Sequence, residues 1–209
     1  MNMLEPTVFI VDSDMEIQRA LRRLLESVRL RVEAYATTQE FLESYDVSRP
    51  GCLILEVRMR GMSGLELFRR LQKDGRQIPV IFYTDHGDVP MAVQVIREGA
   101  FHFLEKKGSE QYLLDQTHAA IAWDLRRRRD ECEQQAAAAR FDELSTRERE
   151  VLTEIVAGKT NKEMAYQLGV AVKTVEFHRA NIMRKVGADS MVRLLCLLSK
   201  SGWDAKEGR

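Results

Sequence analysis

Apolar residues gather into five short, nearly continuous runs over the first 120 positions, with helix-period segments between them. The runs are TVFIV (7–11), RVEAY (31–35), CLILE (52–56), PVIFYT (79–84) and FHFL (101–104). Runs this uniformly apolar suit strands covered on both faces. The alternation therefore predicts an α/β domain, a doubly wound five-stranded parallel sheet. In such a fold the site collects at the C-terminal ends of the strands. Thr37 with Glu40 and Ser63 with Glu66 have the capping-box spacing, in which each side chain satisfies the other residue's backbone N–H.

From Ser109 the helical pattern does not stop. Leu114, Ile121 and Leu125 keep its spacing, and RRRRDECEQQAAAAR follows without Gly or Pro. The organisation is thus read as a domain over 1–122, a helical linker over 123–141 and a second domain over 142–209. Arg126 to Arg129 would point around all sides of that helix and are followed by acids, which predicts a solvated surface. The second domain reads as four short helices. Ser145 with Glu148 and Thr160 with Glu163 form two more capping boxes, and Gly158, Gly169 and Gly187 are placed to stop helices.

At 209 residues, 44% of them hydrophobic, each domain can bury its own core. No apolar run approaches the ~20 residues needed to span a bilayer. MNMLEPTVFIVDSD lacks a basic region followed by a long apolar segment, so neither membrane attachment nor a secretion signal is expected. The three cysteines, Cys52, Cys132 and Cys196, are scattered and odd in number, which argues for reduced thiols in a cytoplasmic protein rather than disulfides or zinc. The zero net charge divides unevenly. Residues 1–122 carry 15 Lys and Arg against 18 Asp and Glu, residues 123–209 carry 17 against 14, so a polyanion belongs at the C-terminal half.

The predicted strand ends carry the candidate chemistry of the first domain: Asp12 and Ser13, Glu56, Thr84 and Asp85, Phe103 and Lys106. The run LILEVRMRGMSGLEL (53–67) ends a buried strand on an acid and turns through glycine into a capped helix. It resembles the bacterial receiver domain, a flavodoxin-like fold in which an aspartate at this point accepts a phosphoryl group. The resemblance matches at Asp12, Thr84 and Lys106, with Phe103 at the rotating aromatic position. It departs at Glu56 (the acceptor), Ser13 (the second acid), Asp85 (a small residue), Lys107 and Arg60 (two prolines).

Each departure has a consequence. Glu56 extends its carboxylate by one methylene, roughly 1.5 Å, and a misplacement of ~1 Å can cost an in-line displacement about 100-fold. Ser13 removes an anionic ligand and Lys107 adds a cation. No cofactor is therefore expected, magnesium binding is weakened or lost, and Asp12 is only a weak candidate ligand. Glu56 can instead reach Lys106 or Thr84, roughly where a phosphoryl oxygen would sit. Three roles stay open: a buried ion-pair network, a built-in mimic of the phosphorylated state, and retained phosphorylation.

In the second domain, Val172 to Val186 placed at 100° per residue puts Val175, Ile182 and Val186 on one face, flanked by His178 and Arg179. Lys173, Phe177, Ala180 and Arg184 fall opposite, edged by Glu176 and Asn181. The first stripe packs on Leu152, Ile155, Met164 and Leu168. The second is free to enter a major groove. LSTREREVL, NKEMAYQL and KTVEFHRANIMRKVGA resemble the LuxR/FixJ-type helix-turn-helix, a small all-α four-helix domain. With the receiver this covers almost the whole chain, in the arrangement of the FixJ subgroup. The resemblance implies that Glu176, Phe177 and Ala180 read bases. Lys173, Thr174, Arg179, Lys185, Asn161 and Lys162 would hold the backbone. Ala171 stands at the usual capping Ser, a loss of roughly 1 kcal/mol.

The expected protein is a two-component-type transcription regulator of the phosphorelay class, not an enzyme. It would bind promoter double-stranded DNA as a homodimer, work without aspartyl phosphorylation, and have a sensor kinase or another protein as a possible partner. The rivals are a conventional regulator still phosphorylated on its receiver, and a protein that sequesters a partner regulator without touching DNA.

Overall fold

In a computed structural model, which describes residues 5–203, the chain forms two compact units that divide between Arg128 and Arg129, inside the span read as linker. The outermost residues of the two predicted domains, 1–4 and 204–209, lie outside the described residues. The first unit runs β1 (Thr7–Val11), α1 (Met15–Ser27), β2 (Arg31–Tyr35), α2 (Thr38–Ser44), β3 (Gly51–Leu55), α3 (Gly64–Lys73), β4 (Val80–Thr84), α4 (Val89–Arg97), β5 (His102–Glu105) and the start of α5 (Glu110–Asp142). All strand pairs are parallel, in the order β2-β1-β3-β4-β5.

The sheet is buried on both sides because each strand feeds two cores. Phe9, Val11, Leu53, Leu55, Val80 and Phe82 join the core that includes α2 and α3 residues. Val8, Ile10, Cys52, Ile54 and Ile81 join the one with Leu21, Leu25 and Ile121. Alternation of period two within a wholly apolar run produces this division. The reversal of strand order beside β1 puts the crevice at the C-terminal ends of β1 and β3.

Several details differ from the sequence reading, among them β4, which starts at Val80 and not at residue 79. β3 closes at Leu55, so Glu56 lies just past the strand, and β5 starts and ends one residue later than expected. At α2, Thr37 accepts from Glu40 N–H, but the Glu40 carboxylate takes the Ala36 N–H instead of completing the box.

The arginine run is not simply a solvated surface. Asp124 is fully buried, accepts the Gly51 N–H at 3.0 Å, and is paired with Arg127 at 2.6 Å and Arg128 at 2.7 Å. Arg128 also donates to the carbonyls of Val47, Ser48 and Arg49. A buried carboxylate needs such partners, and its i+3 and i+4 neighbours on the helix supply them.

The second unit contains the end of α5, then α6 (Thr146–Val156), α7 (Asn161–Leu168), α8 (Val172–Val186) and α9 (Met191–Ser201). Complete capping boxes start α6 and α7, while Ala171 starts α8 with no side-chain cap. Gly169 and Gly187 end α7 and α8 in the left-handed conformation that glycine adopts without a Cβ penalty. Phe141, Leu152, Ile155, Met164, Val175, Ile182, Val186 and Leu194 form one core, with Leu168 against it.

Candidate functional site

Asp12, Glu56, Thr84 and Lys106 meet at the C-terminal ends of β1, β3, β4 and β5. The Glu56 N–H donates to Val11 carbonyl at 2.9 Å and that of Lys106 to Thr84 carbonyl at 3.0 Å, so the backbone itself delivers both side chains. Gly64, opening α3, lets that helix approach. A Cβ there would stand 2.1 Å from the Glu56 carbonyl oxygen. Gln18, buried on α1, donates to the Asp12 and Tyr35 carbonyls and fixes the turn after β1.

The Lys106 ammonium bridges the two acids, 2.6 Å from Asp12 Oδ2 and 2.7 Å from Glu56 Oε2, with its side chain 8% exposed. Glu56 Oε1 accepts from the Thr84 hydroxyl at 2.6 Å and the Arg58 N–H at 3.0 Å. Asp12 Oδ1 accepts from the Asp14 N–H at 2.9 Å. Burial works against the Glu56 charge, but the bonds from Lys106 and Thr84 outweigh it and hold its carboxyl below the usual range. For Asp12, burial prevails over the Lys106 bond and raises the carboxyl. Burial also works against the Lys106 charge, yet its two acids hold the ammonium above its ordinary value.

Every oxygen of the two carboxylates is thus engaged. A divalent metal at such a site is held by one or two carboxylates and waters. Here it would have to displace the Lys106 ammonium, which holds one oxygen of each carboxylate, and no group of three His, Cys, Asp or Glu placed to hold a metal occurs among the described residues. Ser13 and Asp85 are exposed at the rim and make no side-chain bond to the triad. Phe103 is half-buried against the first core and 6.3 Å from the Phe82 ring. It packs so closely on Gly87 that a Cβ there would lie 2.5 Å from its ring.

In the second unit, α8 turns Val175, Ile182 and Val186 into the core and leaves Lys173, Glu176, Phe177, Ala180 and Arg184 outside. Phe177 is 63% exposed, which an aromatic ring tolerates best where something covers it. Its ring meets that of half-buried His178 edge-on at 5.8 Å. Thr174 is half-buried in the first turn, and Lys162 is exposed on α7.

Two residues assigned to the phosphate backbone carry structural bonds as well. Arg179 donates to the Asn161 carboxamide at 3.0 Å, joining α8 to α7. Lys185 reaches the buried Glu148 at 2.7 Å and the Glu143 carbonyl at 3.2 Å. Burial opposes the Glu148 charge, but Lys185 and the cap bonds from Ser145 outweigh it, so its carboxyl is lowered. Sequence reasoning passed over Tyr166, 91% exposed on α7. Its position four residues after Lys162, on the same helix face, was the available signal.

Residues 8–118 match the response regulator receiver domain, and residues 142–198 match the LuxR family of bacterial regulatory proteins. The chain belongs to the response regulators that join a receiver to a LuxR-type domain, and it is a DNA-binding regulator of the FixJ type. It is similar to transcriptional regulatory protein TdiR of Thauera aromatica, 39% identical over 88% of this chain and 81% of that one. Response regulator protein TmoT of Ectopseudomonas mendocina is 38% identical over 93% and 89%. Among solved structures, response regulator StyR aligns with a TM-score of 0.86 and 40% identity over 94% of this chain and 99% of that one. Full-length FixJ from B. japonicum aligns at 0.57, with 33% identity over 95% and 98%. No described helix is long and apolar enough to cross a membrane.

Proposed function

We propose that this regulator binds promoter DNA as a homodimer without aspartyl phosphorylation, with Glu56 supplying permanently the anion that a phosphoryl group supplies transiently elsewhere. The observation that carries this reading is the Thr84 hydroxyl donating to Glu56 Oε1 at 2.6 Å while Lys106 holds Oε2 at 2.7 Å. One residue thereby ties the ends of β3, β4 and β5. With both Glu56 oxygens occupied and Asp12 paired to the same lysine, a phosphodonor meets neither a free nucleophile nor a metal.

The proposed dimer surface is α4 with β5 and the start of α5. Val93, Ile96 and Tyr112 are each 45% exposed there. A cavity of about 390 Å³ lined by Val93, Ile96, His102 and Phe103 opens on the same side. Phe103 stands between this surface and the loop that follows Thr84, so the arrangement around Glu56 bears on the shape of the surface. Pairing adds a second half-site, giving affinity that one small domain lacks. On α8, Glu176, Phe177 and Ala180 read base edges. Lys162, Lys173 and Thr174 hold phosphates, with Asn161, Arg179 and Lys185 beside them. A sensor kinase, if one docks on this receiver, acts by binding rather than by phosphoryl transfer.

A second reading has its own support. The complete pairing of Asp12, Lys106 and Glu56 is also what a purely structural buried ion network requires. The two readings part on the Glu56→Ala variant: loss of DNA affinity and of dimer supports the mimic, and unchanged values support the network.

A further inference from the structure

Arg184 is the cation on α8 that the proposed DNA contacts leave without a task. Lys173 is assigned to phosphates, and Arg179 and Lys185 also brace the fold through Asn161 on α7 and Glu148 on α6. Arg184 is exposed, and among the described residues its side chain bonds only to half-buried Asn181, one turn back on the same helix. Its Nη2 donates to the Asn181 carboxamide oxygen at 3.1 Å. The pair joins α8 to no other element, and an exposed pair three residues apart adds little to helix stability.

Its place on the helix is informative. At 100° per residue, Arg184 stands about 20° from Phe177 and about 40° from Ala180, whereas Lys185 and Arg179 stand about 100° or more away from it. When a helix lies in a major groove, side chains on the midline of the inserted face meet base edges, and those on its flanks meet the phosphates of the walls. Arg184 is on the midline. Its Cα is about 10.5 Å along the axis from that of Phe177. A helical side chain leans towards the N-terminus, however, and the bond to Asn181 draws the guanidinium back over the preceding turn. Ala180, exposed between the two, projects only a methyl.

We propose that Arg184 is a specificity-determining residue that reads a guanine in the major groove, about one or two base pairs from the Phe177 contact, and that Asn181 positions it. The inference rests on the DNA-reading face of α8 proposed above. The chemistry selects guanine. A guanidinium donates in parallel to two acceptors, and guanine alone among the bases presents two, O6 and N7, at its major-groove edge. Asn181 takes one N–H, fixes the fork and leaves the other donors to the base. A phosphate would accept the same donors, but phosphates flank the groove and Arg184 does not sit on the flank.

The test selects binding sites from a random-sequence duplex pool with the full-length protein as wild type, Arg184→Lys and Asn181→Ala. The expected wild-type consensus contains a guanine whose replacement weakens binding about tenfold or more. Arg184→Lys keeps the charge but loses the paired donors, so the same replacement costs it no more than about twofold, and its salt dependence matches wild type. Asn181→Ala keeps every cation and lowers discrimination at that base pair alone, by about threefold. A merely structural pair would leave all these profiles alike. Equal base preference in wild type and Arg184→Lys overturns the assignment. So does an Arg184→Ala variant that weakens all duplexes equally and lowers the salt slope by about one, the signature of a phosphate contact. An unaltered profile in Asn181→Ala overturns its positioning role. A wild type that enriches no sequence overturns the reading face and this residue with it, whereas a consensus insensitive to Arg184→Lys overturns this residue alone.

Discussion

The Thr84 hydroxyl donates to the Glu56 carboxylate at 2.6 Å across the ends of neighbouring strands. A threonine side chain has more than one staggered rotamer open to it. Here the anion is part of the chain and the hydroxyl is held. Lys106 adds a charge-assisted bond from the next strand, and such bonds are about twice as strong as neutral ones.

Acetyl phosphate or beryllofluoride with magnesium is expected to leave the protein unchanged in mass, oligomeric state and DNA affinity. Both Glu56 oxygens already accept hydrogen bonds, and a metal would have to displace Lys106 from Asp12 and Glu56. Intact-protein mass spectrometry checks this. A stable gain of one phosphoryl group on Glu56 would show that the pocket retains the chemistry.

Removing the shared cation should be severe. Lys106→Met leaves Asp12 and Glu56 buried without their partner, and breaking a buried pair costs about 3–5 kcal/mol. The acid dependence follows from Glu56. Its folded carboxyl is lowered from the ordinary 4.5, so the stability its charge contributes is complete above that value and is lost as pH falls through the lower one. Asp12, raised by burial, acts in the opposite sense, since the fold favours its protonated form. Urea denaturation between pH 3 and 7 (about the span set by ordinary carboxyl values) should show Glu56→Gln losing part of the wild-type decline. An identical decline would assign it to other groups.

On α8 the side chains separate into two kinds. Lys173→Ala should weaken binding about equally across sequences and lower the salt slope by about one. Phe177→Ala should change the preferred bases, and an identical sequence profile would remove Phe177 from the reading face. Lys185→Ala should do something further. It strands the buried Glu148, so the second unit should lose about 1–3 kcal/mol of stability. Thermal unfolding read beside DNA titration distinguishes the two effects.

The proposed dimer surface depends on exposed apolar groups of α4. Ile96→Lys should convert dimer to monomer at micromolar concentration by placing a charge in the contact. Light scattering reads this directly. An unchanged mass would move the interface elsewhere.

Much of this was legible in the residues, for local reasons. Strand positions follow from apolar runs, and three of the four capping boxes close as their spacing requires, because the partners lie within one turn. The span Val172–Val186 came from a 3.6-residue stripe ended by Gly187. The missing parts depend on distant partners. Arg127 and Arg128 look like solvated charge until Asp124 is known to be buried against the Gly51 N–H, 73 residues earlier in the chain. Lys185 looks free until Glu148 comes beside it, 37 residues away. At Thr37 the pattern was present, but the carboxylate of Glu40 chose the Ala36 N–H.

The most direct test of the central claim compares wild type with Glu56→Ala for dimer mass and promoter affinity, with no phosphodonor present. If Glu56 holds the active arrangement, wild type is dimeric and binds DNA unaided. The variant then shifts towards monomer and binds about tenfold more weakly, within the usual range of coupling between two sites. Equal mass and equal affinity for the two proteins would contradict the claim and leave Glu56 as one arm of a structural ion pair.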